Sequence, residues 1–129
     1  MIVIDSSSLV AIAFEELDRD IHLGAILKAK AVYLSPMNYV ETGMVLRQSG
    51  FMTGAAFYNA WLADLLITVR DDVPLGDAAF AAFLNFGKGR HPARLNLGDC
   101  FSYGLAKELD LPLLYKGDDF AKTDIRSAL

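Results

Sequence analysis

Four acidic residues occupy positions from which they could bind one metal ion together. Asp5 ends the apolar segment "MIVID", and Asp118 follows the apolar segment "LPLLY" near the other end of the chain. Asp99 begins the amphipathic segment "DCFSYGLAK", and Glu41 lies on or beside the apolar stripe of "PMNYVETGMVLRQ". Converging carboxylates repel each other, and a hard divalent cation relieves that repulsion. Oxygen ligands of this kind favour Mg²⁺ or Mn²⁺.

Each acid also has a simpler interpretation. Asp5 could cap the helix that follows it, and Asp99 could be a first-turn acid favoured by the helix dipole. Glu41 could lie at the boundary of a buried face, and Asp118 with its neighbour Asp119 could be turn residues. The metal hypothesis therefore rests on the four acids together. Setting them aside leaves equal numbers of acidic and basic residues in a chain of net charge −4.

The net negative charge argues against a protein that holds nucleic acid by overall electrostatics. Local positive charge nevertheless flanks the acids. Each basic residue alone could be a solvated surface residue, but as a group we interpret them as phosphate contacts, which position a nucleic acid without reading its sequence. These residues are Lys88, Arg90 and Arg94 before Asp99, Lys116 before Asp118, and Arg47 after Glu41.

Short apolar segments alternate with longer helical ones along the whole chain. This pattern predicts βαβ units and a central parallel sheet whose strands are buried on both faces. In such sheets, sites form at the carboxyl ends of the strands. The predicted strands are 1–5, 31–35, 67–70 and 111–116, and the predicted helices are 6–14, 18–30, a third from 35 to 50, 53–66, 77–86 and a sixth from 96.

The bulk properties predict one domain of ordinary size. The chain has 129 residues, of which 53% are hydrophobic, and no apolar run reaches the ~18 residues of a membrane span. The single cysteine, Cys100, cannot form an internal disulfide, which favours a reducing cytoplasm. Neither histidine, His22 or His91, has neighbours typical of a catalytic residue.

Four blocks of the sequence, taken in order, resemble the PIN-domain ribonucleases, and within them the VapC-type toxins. The blocks are "VIDSSSLVAI", "LSPMNYVETGMVL", "GKGRHPARLNLGDCFSYGLAK" and "LLYKGDDFAKTDI". The resemblance implies a single PIN domain over residues 1–129, with three α/β/α layers and a mainly parallel sheet of four to five strands. It also implies that Asp5, Glu41, Asp99 and Asp118 hold Mg²⁺ or Mn²⁺. Ser6 is a possible support for the site, and Asp119 is an alternative fourth acid.

The resemblance further implies a function. A metal-activated water would hydrolyse an RNA phosphodiester and leave a 5′-phosphate. The protein would be the toxin of a type II toxin–antitoxin system, with RNA as its substrate and a VapB-type antitoxin as its partner. It would be a homodimer in the cytoplasm, without membrane attachment.

Two other interpretations remain open at this point. A phospho-receiver domain also has a parallel sheet and an acidic Mg²⁺ pocket, and Asp71, Asp72 and Lys116 could serve in it. The order of these acids along the chain counts against that class, and Glu41 would be unexplained. The second alternative is a catalytically silent PIN-like module that only binds a partner.

Overall fold

A four-stranded parallel sheet forms the centre of the computed structural model, which describes all 129 residues. The strand order is β3-β2-β1-β4, so β1 pairs with both β2 and β4. The strands are β1 (Ile2–Ile4), β2 (Val32–Leu34), β3 (Ile67–Val69) and β4 (Leu113–Leu114). The helices are α1 (Ser6–Ala13), α2 (Arg19–Lys28), α3 (Pro36–Gln48), α4 (Ala55–Asp64), α5 (Gly76–Phe86) and α6 (Leu97–Leu109), followed by a 3₁₀ turn, Phe120–Lys122.

The sheet separates two hydrophobic cores. Ile2 and Ile4 of β1 face a core shared with α1 to α4, whereas Val3 faces a second core shared with α5 and α6. All three side chains are buried, which explains why the strands read as continuous apolar runs. The predicted three-layer α/β/α architecture is therefore confirmed.

The strand count is four, and the chain end extends the sheet beyond β4. The Leu113 N–H donates to the Arg126 carbonyl (2.8 Å), and the Ala128 N–H donates to the Leu113 carbonyl (2.9 Å). This pairing is a single bridge between Leu113 and Ser127. It covers the outer edge of β4 without adding a full fifth strand.

Polar caps fix where three helices begin, all beside the carboxyl edge of the sheet. The Asp5 carboxylate accepts from the Ser7 N–H at the start of α1, and the Ser35 hydroxyl accepts from the Asn38 N–H at the start of α3. Asn96 and Asp99 form a capping box at the start of α6. The chain runs from β1 to β2 and β3 on one side and returns to β4 on the other, so the crevice beside β1 is the expected position of a site.

None of the helices is both long enough and apolar enough to cross a lipid bilayer.

Candidate metal centre

Asp5 is a buried carboxylate with both oxygens hydrogen-bonded. Asp5 is only 3% exposed to solvent. Oδ2 accepts from the Ser7 N–H (2.9 Å) and the Ser7 hydroxyl (2.6 Å), and Oδ1 accepts from the Ser102 hydroxyl. A buried charge is costly unless it is compensated, and these three donors compensate it without any basic side chain. Asp5 thus caps α1 and at the same time presents its carboxylate at the carboxyl end of β1.

Asp99 combines a capping role with a position among other acids. Its N–H donates to Asn96 Oδ1 (2.9 Å), and its Oδ2 accepts from the Asn96 N–H (3.1 Å). Partial burial, followed by repulsion from Asp5, raises the pKa of the Asp99 carboxyl to about 7, with Glu41 and Asp119 adding to the repulsion. The hydrogen bond from the Asn96 backbone opposes that rise. Asp99 is therefore a first-turn capping residue, as one interpretation of the sequence held, and it also lies among other acids.

Glu41 reaches this group of acids from α3. Its carboxylate lies against the first turn of α6, because a Cβ built on Gly98 would stand 2.3 Å from Glu41 Oε2. Asn38, one turn earlier on α3, donates from Nδ2 to the Gly98 carbonyl (3.1 Å) and to the Ser6 hydroxyl (3.2 Å). One buried amide thereby ties α1, α3 and α6 together.

These acids line one open cavity of about 530 Å³ at the carboxyl edge of the sheet. Asp5, Glu41 and Asp99 come from three different elements, as the sheet-edge argument predicts. The full lining is Asp5, Ser6, Ser7, Val10, Glu16, Glu41, Val45, Asn96, Asp99 and Lys116.

The two acids after β4 lie outside that cavity. Asp118 and Asp119 are both exposed. Asp119 contributes to the repulsion that raises the pKa of Asp99, and it lines a neighbouring cleft with Lys88, Arg94 and Asn96. Asp118 has no contact of either kind. The structure therefore brings Asp5, Glu41 and Asp99 together. Of the two acids after β4, it is Asp119 that lies near Asp99.

The serine that hydrogen-bonds the Asp5 carboxylate is Ser7, whereas Ser6, predicted as a possible support, contacts α3. The Ser6 hydroxyl lies at the cavity but donates to the Asn38 carbonyl (3.4 Å). The Ser7 hydroxyl donates to Asp5 and also accepts from the Lys116 N–H (3.0 Å), so it links the ends of β1 and β4. Ser6 therefore joins α1 to α3, while Ser7 holds the Asp5 carboxylate.

The acids have no basic partner in the cavity. The Lys116 ammonium lies 3.0 Å from Glu16 Oε2 and 3.2 Å from Asp18 Oδ1, and these bonds raise the pKa of Lys116. Lys116, predicted to contact RNA, is thus paired with carboxylates of the α1–α2 connection.

The donor chemistry fits a hard divalent cation. All the candidate ligands are carboxylate oxygens, and the pKa of Asp99 is raised first by burial and then by repulsion from Asp5, a repulsion that such a cation would relieve. No three His, Cys, Asp or Glu side chains lie close enough together in this structure to surround an ion. Binding one therefore requires the carboxylates to turn toward each other.

A compact basic loop borders the acids. It spans residues 87–95 and is closed by two hydrogen bonds, from the Lys88 N–H to the Leu95 carbonyl and from the Leu95 N–H to the Phe86 carbonyl (both 3.0 Å). Lys88 and Arg94 line the cleft shared with Asn96 and Asp119, and neither forms an ion pair.

Two further basic residues predicted to contact RNA lie elsewhere. The Arg90 guanidinium stands 5.9 Å from the centre of the Phe83 ring and lines a second cleft, which Lys88 and Arg94 also line but Asn96 and Asp119 do not. Arg47 is exposed on α3 and does not line the acidic cavity. The structure therefore groups Lys88 and Arg94 with the site and leaves Arg47 apart from it.

Three polar residues around the acids were not identified from the sequence. Ser7 stands in a run of serines, so its type did not distinguish it from Ser6. Asn38 and Ser102 make contacts across 60 and 97 residues of chain, respectively. Ser102 had one detectable signal, because it lies three residues after Asp99 and so on the same face of α6.

Known proteins resemble this chain over nearly its whole length. The family model described as "PIN domain" matches residues 2–126. Ribonuclease VapC30 of Mycobacterium tuberculosis is 42% identical over 127 residues, which cover 95% of each chain. Ribonuclease VapC of Mycolicibacterium smegmatis is 41% identical over 124 residues, which cover 95% of this chain and 96% of that one.

A solved structure agrees at the level of the fold. The crystal structure of Mycobacterium tuberculosis VapC20, described as a Sarcin-Ricin loop cleaving toxin, superposes with a TM-score of 0.73 at 17% identity, covering 97% of this chain and 96% of that one. The chain belongs to the PIN-domain family and, within it, to the VapC ribonucleases, which are enzymes. The resemblance drawn from the sequence is confirmed, and the phospho-receiver alternative is wrong.

Proposed function

We propose that this protein is an endoribonuclease toxin of a type II toxin–antitoxin system that cleaves RNA with Mg²⁺ or Mn²⁺. Asp5, Glu41 and Asp99 hold the metal, and Asp119 or Asp118 serves as the fourth acid. The observation that carries the proposal is the convergence of three carboxylates from separate elements on one cavity whose one basic side chain, Lys116, is paired with Glu16 and Asp18 instead. Such an arrangement favours a divalent cation.

The metal, when bound, would activate water and neutralise the scissile phosphate. Around it, the chain's own residues orient the ligands. Ser7 and Ser102 hold the Asp5 carboxylate by hydrogen bonds to both oxygens, and the capping box holds Asp99. Because water attacks in place of the 2′-hydroxyl, the products carry a 5′-phosphate.

Histidine does not enter this mechanism. His22 is buried, 3.4 Å from Asp18 Oδ2, and does not line the acidic cavity. His91 accepts from the Ala93 N–H through Nδ1 and packs edge-on against Phe86. Proton transfer therefore depends on water and carboxylates.

Lys88 and Arg94 would bind the RNA backbone beside the metal. Their unpaired charges face the cleft that also contains Asn96 and Asp119, adjacent to Asp99. Contacts of this kind fix the position of the scissile phosphate without selecting a sequence. Lys116 and Arg90 make other contacts in this structure and would join only by rearranging.

The test is cleavage of RNA by purified protein freed of any antitoxin. We expect cleavage with Mg²⁺ or Mn²⁺, none in EDTA, and products that bear 5′-phosphates. Asp5→Asn is the matched control for contaminating nuclease, because it keeps the shape and removes one ligand charge. The metal mechanism would be overturned if the parent protein cleaved RNA equally well in EDTA while the Asp5→Asn variant remained inactive. A chain that binds no Mn²⁺ and cuts no RNA would be the silent module.

Family membership also supports proposals about partners and location. We propose a VapB-type antitoxin that blocks the cavity, a homodimer, and a cytoplasmic single PIN domain over residues 1–129. The free, buried thiol of Cys100 suits a reducing compartment. Light scattering of the purified chain, with and without co-expressed antitoxin, tests both assemblies.

A further inference from the structure

The Glu41 side chain of α3 packs against the backbone of α6 at a position that has no side chain. Gly98 is the second residue of α6, and a Cβ there would stand 2.3 Å from Glu41 Oε2, 2.6 Å from Oε1 and 2.7 Å from Cδ. Contacts under 3.0 Å are not tolerated, so any other residue at position 98 must displace the Glu41 carboxylate. Gly98 is buried and has an ordinary helical conformation, so left-handed backbone geometry does not explain the glycine.

Asn38 holds the two helices at this separation. It is 0% exposed, and its amide uses both its donor and its acceptor groups. Nδ2 donates to the Gly98 carbonyl and the Ser6 hydroxyl, while Oδ1 accepts from the Ser35 hydroxyl. Because the Gly98 carbonyl is the direct partner of Asn38, the backbone that precedes Asp99 is fixed against the helix that carries Glu41.

We propose that Gly98 is a positioning residue for Glu41, leaving the space in which the Glu41 carboxylate lies beside Asp99. The inference rests on the proposed metal-dependent function. A glutamate side chain has three rotatable bonds and would otherwise lose considerable conformational entropy on binding a metal. The space above Gly98 keeps the carboxylate next to the α6 N-terminus before the metal arrives, so part of the cost of ordering it is met by the fold, and only the turn toward the other acids remains for binding.

The direct test is Gly98→Ala, with Gly76→Ala as matched control. Gly76 is also in the first turn of a helix, and a Cβ there meets nothing within 4 Å. Alanine favours the helix at both positions, so we expect both variants to melt in EDTA at or above the temperature of the parent. In a Mn²⁺ titration, Gly98→Ala should bind about 10–100-fold more weakly, the range seen when residues that orient metal ligands are changed. Gly76→Ala should bind as the parent does.

Kinetics separate positioning from substrate binding. At fixed Mn²⁺, Gly98→Ala should lower kcat while leaving KM for RNA unchanged, because Lys88 and Arg94 are untouched. A double-mutant cycle with Glu41→Asp adds a structural check, since the shorter side chain withdraws the carboxylate from the space at Gly98. The loss of Mn²⁺ affinity caused by Gly98→Ala should therefore be smaller in the Glu41→Asp background.

The outcomes distinguish the two proposals. If the parent binds Mn²⁺ and Gly98→Ala binds it equally well, or if the two substitutions act independently in the cycle, Gly98 does not position Glu41 and the inference is overturned. If the parent chain binds no Mn²⁺, the proposed function itself fails, and the inference fails with it.

Discussion

At the scale of single residues, Asp99 combines a role in the fold with the role that we propose for it in metal binding. It closes the capping box of α6, and its pKa is raised to about 7 by burial and by the neighbouring Asp5. The helix N-terminus favours a negative charge, whereas the other acids oppose it. Asp99 is tolerated at the head of an apolar helix because the cap fixes it there, and a metal would supply the missing positive charge.

Replacing Asp99 by Asn should separate these two roles. The amide oxygen can still accept the Asn96 N–H, so the cap survives, but one ligand charge is lost. We expect RNA cleavage and toxicity to fall by orders of magnitude while the fold is kept. In EDTA the variant should be as stable as the parent or more stable, because repulsion among the acids is reduced. Thermal melts with and without Mn²⁺, beside a cleavage assay, measure both effects.

The same substitution should change the pH dependence of stability. The folded chain keeps the Asp99 proton up to about pH 7, whereas an unfolded chain releases it near 3.8, the ordinary pKa of an aspartate. The folded state therefore binds more protons between these values, and this group's contribution to the free energy of unfolding falls as pH rises through that window. In EDTA, the gap between Asp99→Asn and parent should widen from pH 4 to pH 7. A less stable variant that still cleaves RNA would mean that Asp99 is only a cap.

Ser102 should matter for activity despite its distance in sequence from Asp5. Its buried hydroxyl donates to Asp5 Oδ1, so Ser102→Ala leaves a buried carboxylate with one donor fewer. We expect a loss of about 10–100-fold in Mn²⁺ affinity or cleavage. Ser8→Ala is the matched control, because the Ser8 hydroxyl is equally buried and has no hydrogen-bond partner. Equal effects of the two substitutions would show that Ser102 acts only through packing.

At the scale of elements, the loop of residues 87–95 brings basic charge to the acids. Its closing hydrogen bonds make it compact, and it turns Lys88 and Arg94 toward the cleft with Asn96. Arg90 packs near Phe83 instead. Two of the loop's three basic side chains thus lie beside the acids, and the third, Arg90, contacts α5.

Removing Lys88 and Arg94 together should weaken RNA binding. The double alanine variant is expected to raise KM and to flatten its dependence on salt, because fewer counterions are released on binding. Lys28→Ala with Lys30→Ala removes the same charge at the far end of α2 and serves as control. Arg90→Ala should raise KM less than the double variant does. Unchanged KM and salt dependence in the double variant would make the loop a solvated surface.

The helices were predictable because their ends carry strong local signals. Ser35 with Pro36 starts α3, and Asn96 starts α6, in both prediction and structure. The last strand was predicted over 111–116 but spans Leu113–Leu114. It ends early because the Lys116 N–H donates to the Ser7 hydroxyl and not to a neighbouring strand. That contact joins residues 109 positions apart, so no local pattern could reveal it.

At the scale of the whole molecule, the parallel order of the strands explains why the acids could be grouped from the sequence. Asp5 and the residues after β4 had to meet at one edge once the sheet was parallel. The orientation of the turn after β4 depends on packing around the buried Phe120, so the sequence alone does not indicate which of Asp118 and Asp119 lies nearer to Asp99. The supporting hydrogen bonds of Asn38 and Ser102 likewise depend on tertiary contacts that spacing does not encode.

The backbone pairing of residues 126–128 with Leu113 has a consequence for self-association. An open sheet edge offers unpaired N–H and C=O groups to any extended chain, which makes it a starting point for aggregation. Here the last residues of the chain occupy that edge of β4. We therefore expect these residues to hinder the addition of a strand from another molecule.

Deleting residues 126–129 should therefore make the protein associate with increasing concentration, as measured by light scattering against the parent. Arg126→Ala is the control, because it removes the side-chain bonds to Asp110 but keeps the backbone pairing with Leu113. A truncated chain that stays in the same oligomeric state as the parent at all concentrations would show that these residues do not hinder strand addition. If it does associate, fusion partners attached at this end must leave the final residues free to lie along β4.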